Sequence, residues 1–181
     1  MTSVVNNKNS YYKDLKNELK KRRPNLINIQ NICNTKESVE NIITPSIRPH
    51  LYCSLLRLEK THIQRSADAL LKKELLTTEN DLDNQRVIKA DTKRTNSIDP
   101  FFKKEETQDL MENILTFYCK RRSIKYIQGL NFVLAPFLKM LDTSLSDHRD
   151  EDDAIETMVG PGAIFELFYG FVNKILPNIY M

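Results

Sequence analysis

Residues 88–131 read IKADTKRTNSIDPFFKKEETQDLMENILTFYCKRRSIKYIQGLN. In the segment from Lys104 to Tyr118, apolar residues recur at intervals of three and four, which predicts one amphipathic helix. Acidic residues gather in its first half and a run of cations follows its end, the order that the helix dipole favours. The helix separates two polar stretches, and each offers one long polar side chain beside a turn: Arg94 in the first and Gln128 in the second.

Helical patterning continues on both sides of this central stretch. Further helices are predicted from Pro45 to Leu58, from Thr61 to Leu76, from Leu82 to Ala90, from Leu130 to Leu141 with a bend at Pro136, and from Ala163 to Leu176. The chain contains only four glycines, which argues against a turn-rich β architecture. The sequence therefore predicts an all-α fold, an irregular multi-helix bundle.

The composition predicts a soluble globular protein, and a cytoplasmic location is expected. Of 181 residues, 40% are hydrophobic and 28% are charged, which suits one globular domain. A net charge of +3 is too weak to indicate a nucleic-acid or membrane partner by itself. The first ten residues lack the apolar core of a signal peptide. The most apolar window, residues 159–180, is interrupted by polar residues and a proline, so no membrane span is expected.

The chain divides into a polar, basic N-terminal extension, residues 1–24, and a helical domain, residues 25–181. In the extension, residues 1–10 are expected to be a disordered lead-in, and a short helix is expected from Tyr11 to Arg23. The run from Lys20 to Arg23 has two interpretations: a nuclear import signal or phosphate-binding patch, or cations favoured by a helix C-terminus. No function is assigned to it.

Other kinds of site are not indicated. The three cysteines are odd in number and widely spaced, which predicts free thiols rather than a zinc site or a disulfide framework. The acidic segment 142–153 lacks the glycine and alternation of a calcium loop, and predicts a solvated connector. No phosphate-cradling glycine loop is visible, so the chain itself is expected to bind neither nucleotide, cofactor nor metal.

An arginine and a glutamine on two neighbouring loops are a pair that GTP hydrolysis needs, and Arg94 and Gln128 are residues of these types. An arginine inserted by a partner protein meets the negative charge on the transferred phosphate, which typically raises the rate by roughly 10³–10⁵. A glutamine carboxamide, which is both donor and acceptor, aligns the attacking water. Both side chains must be free to leave their own protein, so they belong on loops. Arg94 and Gln128 each lie at the edge of a predicted helix and satisfy this requirement.

These residues resemble the two signatures of the TBC domain, the family of Rab GTPase-activating proteins. The first signature, I-x-x-D-x-x-R-T, is matched by Ile88, Asp91, Arg94 and Thr95. The second, Y-x-Q-G, is matched by Tyr126, Gln128 and Gly129, and Asn131 stands where the family usually has asparagine. The separation of the two signatures also fits. Upstream, Arg48 and Leu55-Leu56 resemble the family's R-x-x-x-W-x-x-L-L, with Tyr52 in place of the tryptophan.

The resemblance implies a mechanism. Arg94 would be the arginine finger, and Gln128 would replace the GTPase's own glutamine in positioning water. Asp91 would brace Arg94 by hydrogen bonding, and the supporting residues of the finger loops would be Asp91, Thr95, Tyr126, Gly129 and Asn131. GTP and Mg²⁺ would be bound by the partner and not by this chain, which would be an activator rather than an enzyme in its own right.

The implied partner is a Rab-family small GTPase in its GTP form, which places the chain in vesicle trafficking. Membrane contact would be indirect, through the lipid-anchored GTPase, and would recruit the cytoplasmic protein to endomembranes. The resemblance covers the N-terminal half to two-thirds of the domain, so residues 25–181 are expected to be a partial, C-terminally truncated TBC-like domain. The apolar surface left exposed by truncation predicts self-association.

Two other interpretations remain open. The chain could be a catalytically inactive Rab-binding scaffold with the TBC fold, which would bind a Rab without changing its hydrolysis rate. It could also be a nucleic-acid or nuclear adaptor, an interpretation that depends only on the basic run from Lys20 to Arg23.

Overall fold

The computed structural model describes residues 2–34, 43–44, 47–59, 72–142 and 160–177. Over these ranges the chain is all-α, as predicted, and forms nine helices and no strand. The helices are α1 Thr2–Lys20, α2 Leu26–Cys33, α3 Arg48–Leu55, α4 Lys72–Leu76, α5 Gln85–Arg94, α6 Pro100–Lys103, α7 Glu105–Arg122, α8 Leu130–Leu138 and α9 Pro161–Ile175, with one 3₁₀ turn, Lys139–Leu141, directly after α8.

Helix α7 is the centre of the bundle. It packs against α4, α5, α6, α8 and α9. Glu105 and Glu106 lie in its first turn and three cations lie in its last turn, as the helix dipole favours. The helix ends at Ser123, which adopts a left-handed conformation with φ 53°, and the Ile124 amide donates to the Cys119 carbonyl at 3.0 Å. This ending turns the chain toward the Gln128 loop.

The main core lies between α7, α8 and α9. Edge-to-face aromatic pairs join α7 to α9: Tyr118 lies 5.2 Å from Phe168, and Phe117 lies 5.0 Å from Phe165, between ring centroids. Phe165 and Phe168 are fully buried. Phe101 and Phe102 are also buried, so this pair anchors the loop after Arg94 to the core.

Several predicted helix bounds shift. The helix over the central stretch is Glu105–Arg122, longer than the predicted segment, and the helix before Arg94 extends to Arg94 itself. Of the helix predicted from Thr61 to Leu76, the described part is Lys72–Leu76. The acidic connector lies outside the described residues beyond Asp142.

The N-terminal segment differs from its prediction, because helix α1 begins at Thr2 instead of near Tyr11. Helix α1 packs against α2 and α3 around a second apolar cluster, separate from the main core, formed by Leu15, Leu19, Ile29, Ile47 and Leu51. Tyr52 packs against both clusters. Tyr52 therefore joins the two cores.

Glu18 closes the turn between α1 and α2. Its carboxylate accepts hydrogen bonds from Lys21 Nζ at 2.7 Å, the Asn25 amide at 2.8 Å and Asn28 Nδ2 at 3.3 Å, although the residue is only 6% exposed. The bonds from Lys21 and Asn25 outweigh the effect of burial and lower the pKa of Glu18 below its ordinary value.

This carboxylate predicts a pH dependence of stability. Because its folded-state pKa lies below the ordinary 4.5, its stabilising effect is complete above about pH 4.5 and is lost as the pH falls through the folded-state value. Glu18→Gln should lower the melting temperature by about 2–5 °C at pH 7. In a series of thermal melts from pH 7 to pH 3, the difference in melting temperature between the wild type and Glu18→Gln should become smaller below pH 4.5. A gap that stays constant to pH 3 would contradict this role.

The cysteines are free thiols, as predicted, and Cys53 and Cys119 are buried. Burial raises the pKa of Cys119 to about 12, which keeps the thiol protonated in the core. Within the described ranges there is no group of three or more histidine, cysteine or acidic residues placed to hold a metal ion. No helix of the described chain has both the length and the apolarity required to cross a bilayer.

Candidate functional site

Arg94 is the last residue of α5, and its side chain is exposed. Thr95 follows in an extended conformation and ends the helix, because its amide donates to the carbonyls of Asp91 at 3.0 Å and Thr92 at 3.2 Å. The sequence predicted Arg94 at the edge of a helix, and the structure places it within the last helical turn. The guanidinium therefore projects from a fixed backbone and not from a free loop.

Gln128 is exposed in the turn that precedes α8. Its neighbour Gly129 has φ 102°, a conformation that side-chain-bearing residues rarely adopt, which explains why glycine occupies this position. The Gly129 carbonyl accepts from the amides of Phe132 and Val133 and so begins α8. The glycine turn thus directs the backbone into a helix and leaves the Gln128 side chain in solvent.

The supporting residues of the two finger loops form one buried hydrogen-bond network. The Tyr126 hydroxyl donates to Asp91 Oδ2 at 2.9 Å and lies 3.2 Å from Asn131 Oδ1. Asp91 is 9% exposed and Tyr126 5%, so the pair is screened little by solvent. Burial and the bond to Asp91 raise the pKa of Tyr126, which keeps the hydroxyl protonated as the donor.

Asp91 does not brace Arg94 in the way the resemblance implied. The carboxylate lies on the buried face of α5 with Ile88 and Thr92, whereas Arg94 lies on the exposed face. A buried carboxylate needs a partner, and the partner that it has is the Tyr126 hydroxyl, 35 residues away. Asp91 therefore joins the two loops and positions Arg94 indirectly, through the backbone of α5.

Asn131 completes the network. Its Nδ2 donates to Thr95 Oγ1 at 2.8 Å, and its Oδ1 accepts from the Gly129 amide at 3.2 Å. Thr95 Oγ1 in turn donates to the Asp91 carbonyl at 2.7 Å. The network contains Asp91, Thr95, Tyr126, Gly129 and Asn131, which are all five of the predicted supporting residues. Arg94 and Gln128 are each the chain neighbour of a member, so the network fixes the backbone from which both side chains project.

A second contact joins the same two parts of the chain. Asp99, at the end of the Arg94 turn, accepts from the Phe101 amide at 2.9 Å and from Lys139 Nζ at 2.5 Å. Lys139 follows α8 and also bonds to Asp142 at 2.9 Å. Burial alone would lower the pKa of Lys139, but the bonds to Asp99 and Asp142 outweigh it and raise that pKa. The turn after Arg94 is thus anchored to the far end of α8.

Sequence reasoning missed Asn84 and Gln85. Asn84 stands at the position that caps α5, but its Nδ2 donates to the Tyr126 carbonyl at 2.9 Å and so supports the Gln128 loop. Gln85 Nε2 donates to Glu112 Oε1 at 2.8 Å and to Thr116 Oγ1 at 2.9 Å, which fixes α5 against α7. An asparagine before a helix usually indicates a cap, so the sequence carried no signal for the longer-range contact.

The site is suited to work on a group brought by another molecule. Its base is rigid and hydrogen-bonded, and no buried side-chain nitrogen or oxygen in the described part of the chain lacks a partner. Its exposed side chains are one guanidinium, which carries a permanent positive charge, and one carboxamide, which can donate and accept. Such a pair can stabilise an anion and orient a water molecule in a partner's site.

The sequence is similar to that of a known domain family. The model of the Rab-GTPase-TBC domain matches residues 45–181. A curated relative, TBC1 domain family member 5 homolog B of Dictyostelium discoideum, is 33% identical over 73 residues, and this match covers 40% of the chain and 7% of the relative. The matched region is thus a small part of that protein's length. No solved structure matches the chain. The family model matches well over half of the residues of this chain. The chain therefore belongs to the Rab-GTPase-TBC domain family of Rab GTPase activators.

Proposed function

We propose that the chain activates GTP hydrolysis by a Rab-family GTPase, supplying Arg94 and Gln128 in trans. The partner, in its GTP form, holds the nucleotide and Mg²⁺. Arg94 meets the charge that develops on the transferred phosphate, and Gln128 aligns the attacking water. Because preorganised charge is most effective where it needs no rearrangement during the reaction, the fixed backbone under both residues favours this role.

The observation that carries the proposal is the buried network between the finger loops. Asp91, Thr95, Tyr126, Gly129 and Asn131 have no exposed chemistry of their own to perform, because their polar groups bond to one another. What they achieve is to hold the backbones of two exposed side chains in one arrangement. Such preorganisation of two exposed polar side chains favours catalysis over binding alone.

Exposed apolar residues beside the fingers support docking on a protein. Ile98 lies in the turn after Arg94 and is 92% exposed, Ile127 precedes Gln128, and Phe132 follows it and is 58% exposed. Single exposed apolar side chains are common on protein surfaces, but these three flank both fingers. A partner that covers them would remove water from the site and strengthen the charge interactions within it.

Single-turnover GTP hydrolysis by a panel of purified Rab GTPases, with and without the chain, tests the proposal. Acceleration of at least one Rab is the expected result. If instead a Rab loaded with a non-hydrolysable GTP analogue binds the chain but no Rab hydrolyses faster, the inactive scaffold is the correct function. In that case the finger geometry serves recognition alone.

A further inference from the structure

Helix α5 presents only cations to solvent. Its four exposed residues are Arg86, Lys89, Lys93 and Arg94, and the other six are buried or half-buried. Arg86, Lys89 and Lys93 follow a spacing of three and four residues, so they lie on one stripe of the helix. These three residues are called the basic stripe below. The stripe leads to Arg94 at the end of the helix.

The stripe has no ion pair in the described part of the chain. The salt bridges there involve Lys21, Lys120, Arg121 and Lys139, and none includes a residue of the stripe. The acidic residue of α5, Asp91, is buried and bonded to Tyr126. The positive charges of α5 therefore face solvent without compensation from α5 itself. Neighbouring like charges on a helix face are destabilising, so the arrangement costs stability.

The stripe lies within reach of whatever contacts Arg94. Since an α-helix rises 1.5 Å per residue, Lys89 lies about 8 Å and Arg86 about 12 Å along the axis from Arg94. A standard protein interface buries about 800 Å² on each partner, which corresponds to a disc of about 16 Å radius. A partner that receives Arg94 near the centre of its interface and lies along the exposed side of α5 also covers the stripe.

We infer that the basic stripe docks on an acidic surface of the GTPase beside its nucleotide site. The inference rests on the proposed function, because Arg94 defines where the partner sits. Unpaired cations around a site raise the association rate of an oppositely charged partner by about 10–10³ at low salt. The stripe would thus orient the GTPase as it approaches, before Arg94 enters its site, and would favour Rabs that carry acidic residues at this position.

An anionic membrane is the rival partner for such a stripe. It is disfavoured here because α5 ends at the finger, and a flat bilayer on the stripe would occupy the space that the GTPase needs. The chain also carries a separate exposed basic run, Lys20 to Arg23, which has no such conflict. A membrane could bind that run while α5 remained available to the GTPase.

The double variant Lys89→Glu/Lys93→Glu tests the inference. Its matched control is Lys13→Glu/Arg23→Glu, which makes the same change in net charge at two exposed residues of the N-terminal segment. Two measurements are made with the Rab panel at 50 mM and 500 mM salt: the association rate with analogue-loaded Rab, and the single-turnover hydrolysis rate over a range of chain concentrations. Binding to vesicles containing anionic lipid is measured in parallel.

For a Rab that binds, the stripe variant should associate about 10-fold or more slowly at 50 mM salt, and the gap should shrink at 500 mM. In its association with the Rab, the control should follow the wild type. The inference would be overturned if the stripe variant associated with the Rab at the wild-type rate. It would also be overturned if the variant lost binding to anionic vesicles but kept its binding to the Rab. Stripe-dependent binding without accelerated hydrolysis would refute the proposed function and leave the docking surface standing. Absence of binding to every Rab of the panel would refute both.

Discussion

Arg94→Ala should lower the hydrolysis rate of the responsive Rab, at saturating concentration of the chain, by about 10³-fold or more. An arginine supplied in trans contributes about 10³–10⁵ in rate, so the loss corresponds to about 4 kcal/mol or more of transition-state stabilisation. The charge it meets develops only during phosphoryl transfer, so the loss falls mainly on the rate and much less on docking. The measurement is single-turnover hydrolysis with wild type and variant side by side.

Two controls separate this effect from misfolding. The Arg94 side chain is exposed and has no hydrogen bond or ion pair with the described residues, so the melting temperature of Arg94→Ala should match that of the wild type. Arg94→Lys keeps the charge but loses the planar fork of donors, and it should remain strongly impaired. Wild-type rates in Arg94→Ala would show that the guanidinium takes no part in the reaction.

Asn131→Ala should destabilise the fold by about 2–4 kcal/mol and also reduce activation. The substitution removes the donor to Thr95 and the acceptor for the Gly129 amide at a residue that is 2% exposed. It leaves a small cavity in the buried network and frees the glycine turn beside Gln128. A misplacement of about 1 Å can cost 10²-fold in rate, so we expect a 10- to 100-fold loss at a temperature where the variant is folded.

Urea unfolding measures the stability effect, and Asn113→Ala is the matched control. The Asn113 side chain accepts from Asn80 Nδ2 at 3.0 Å, but this pair is exposed, so its loss should change the free energy of unfolding by less than about 0.5 kcal/mol. Tyr126→Phe removes one oxygen from the network, and its change in the free energy of unfolding should lie between those of Asn131→Ala and Asn113→Ala. Equal stability of Asn131→Ala and Asn113→Ala would contradict a structural role for the network.

The residues of the candidate site were predicted from their match to the two signatures of the TBC domain, and their roles stay predictions. Apolar periodicity predicted the helices on either side of both loops, and Gly129 predicted a turn next to Gln128. The seven predicted site residues divide in the structure into two exposed side chains, Arg94 and Gln128, and five that are members of the buried network.

The pairing within that network could not be predicted, because it depends on tertiary packing. The resemblance implied that Asp91 braces Arg94, one helical turn away, yet the Asp91 carboxylate is buried and bonded to Tyr126 while Arg94 is exposed. Its partner, Tyr126, comes close only because α5 and α7 pack together. The same packing gives Asn84 its contact with the Gln128 loop.

The N-terminal segment was predicted less well than the site. Its first ten residues are mostly polar, so propensity favoured a disordered lead-in, whereas the structure continues α1 through residues 2–10. Tertiary contacts account for the better-anchored end of this helix: Leu15 and Leu19 are buried in the second cluster, and Glu18 holds the turn to α2. Packing of one apolar face commonly outweighs propensity in this way.

The most direct test of the central claim uses a Rab whose own catalytic glutamine has been replaced by alanine. Single-turnover GTP hydrolysis by this Rab is measured with the wild-type chain and with its Gln128→Ala variant. If Gln128 aligns the attacking water, the wild-type chain will still accelerate hydrolysis by the altered Rab, and Gln128→Ala will not. If the altered Rab responds to neither protein while the unaltered Rab responds to both, the water is positioned by the GTPase, and the glutamine role assigned to Gln128 is wrong.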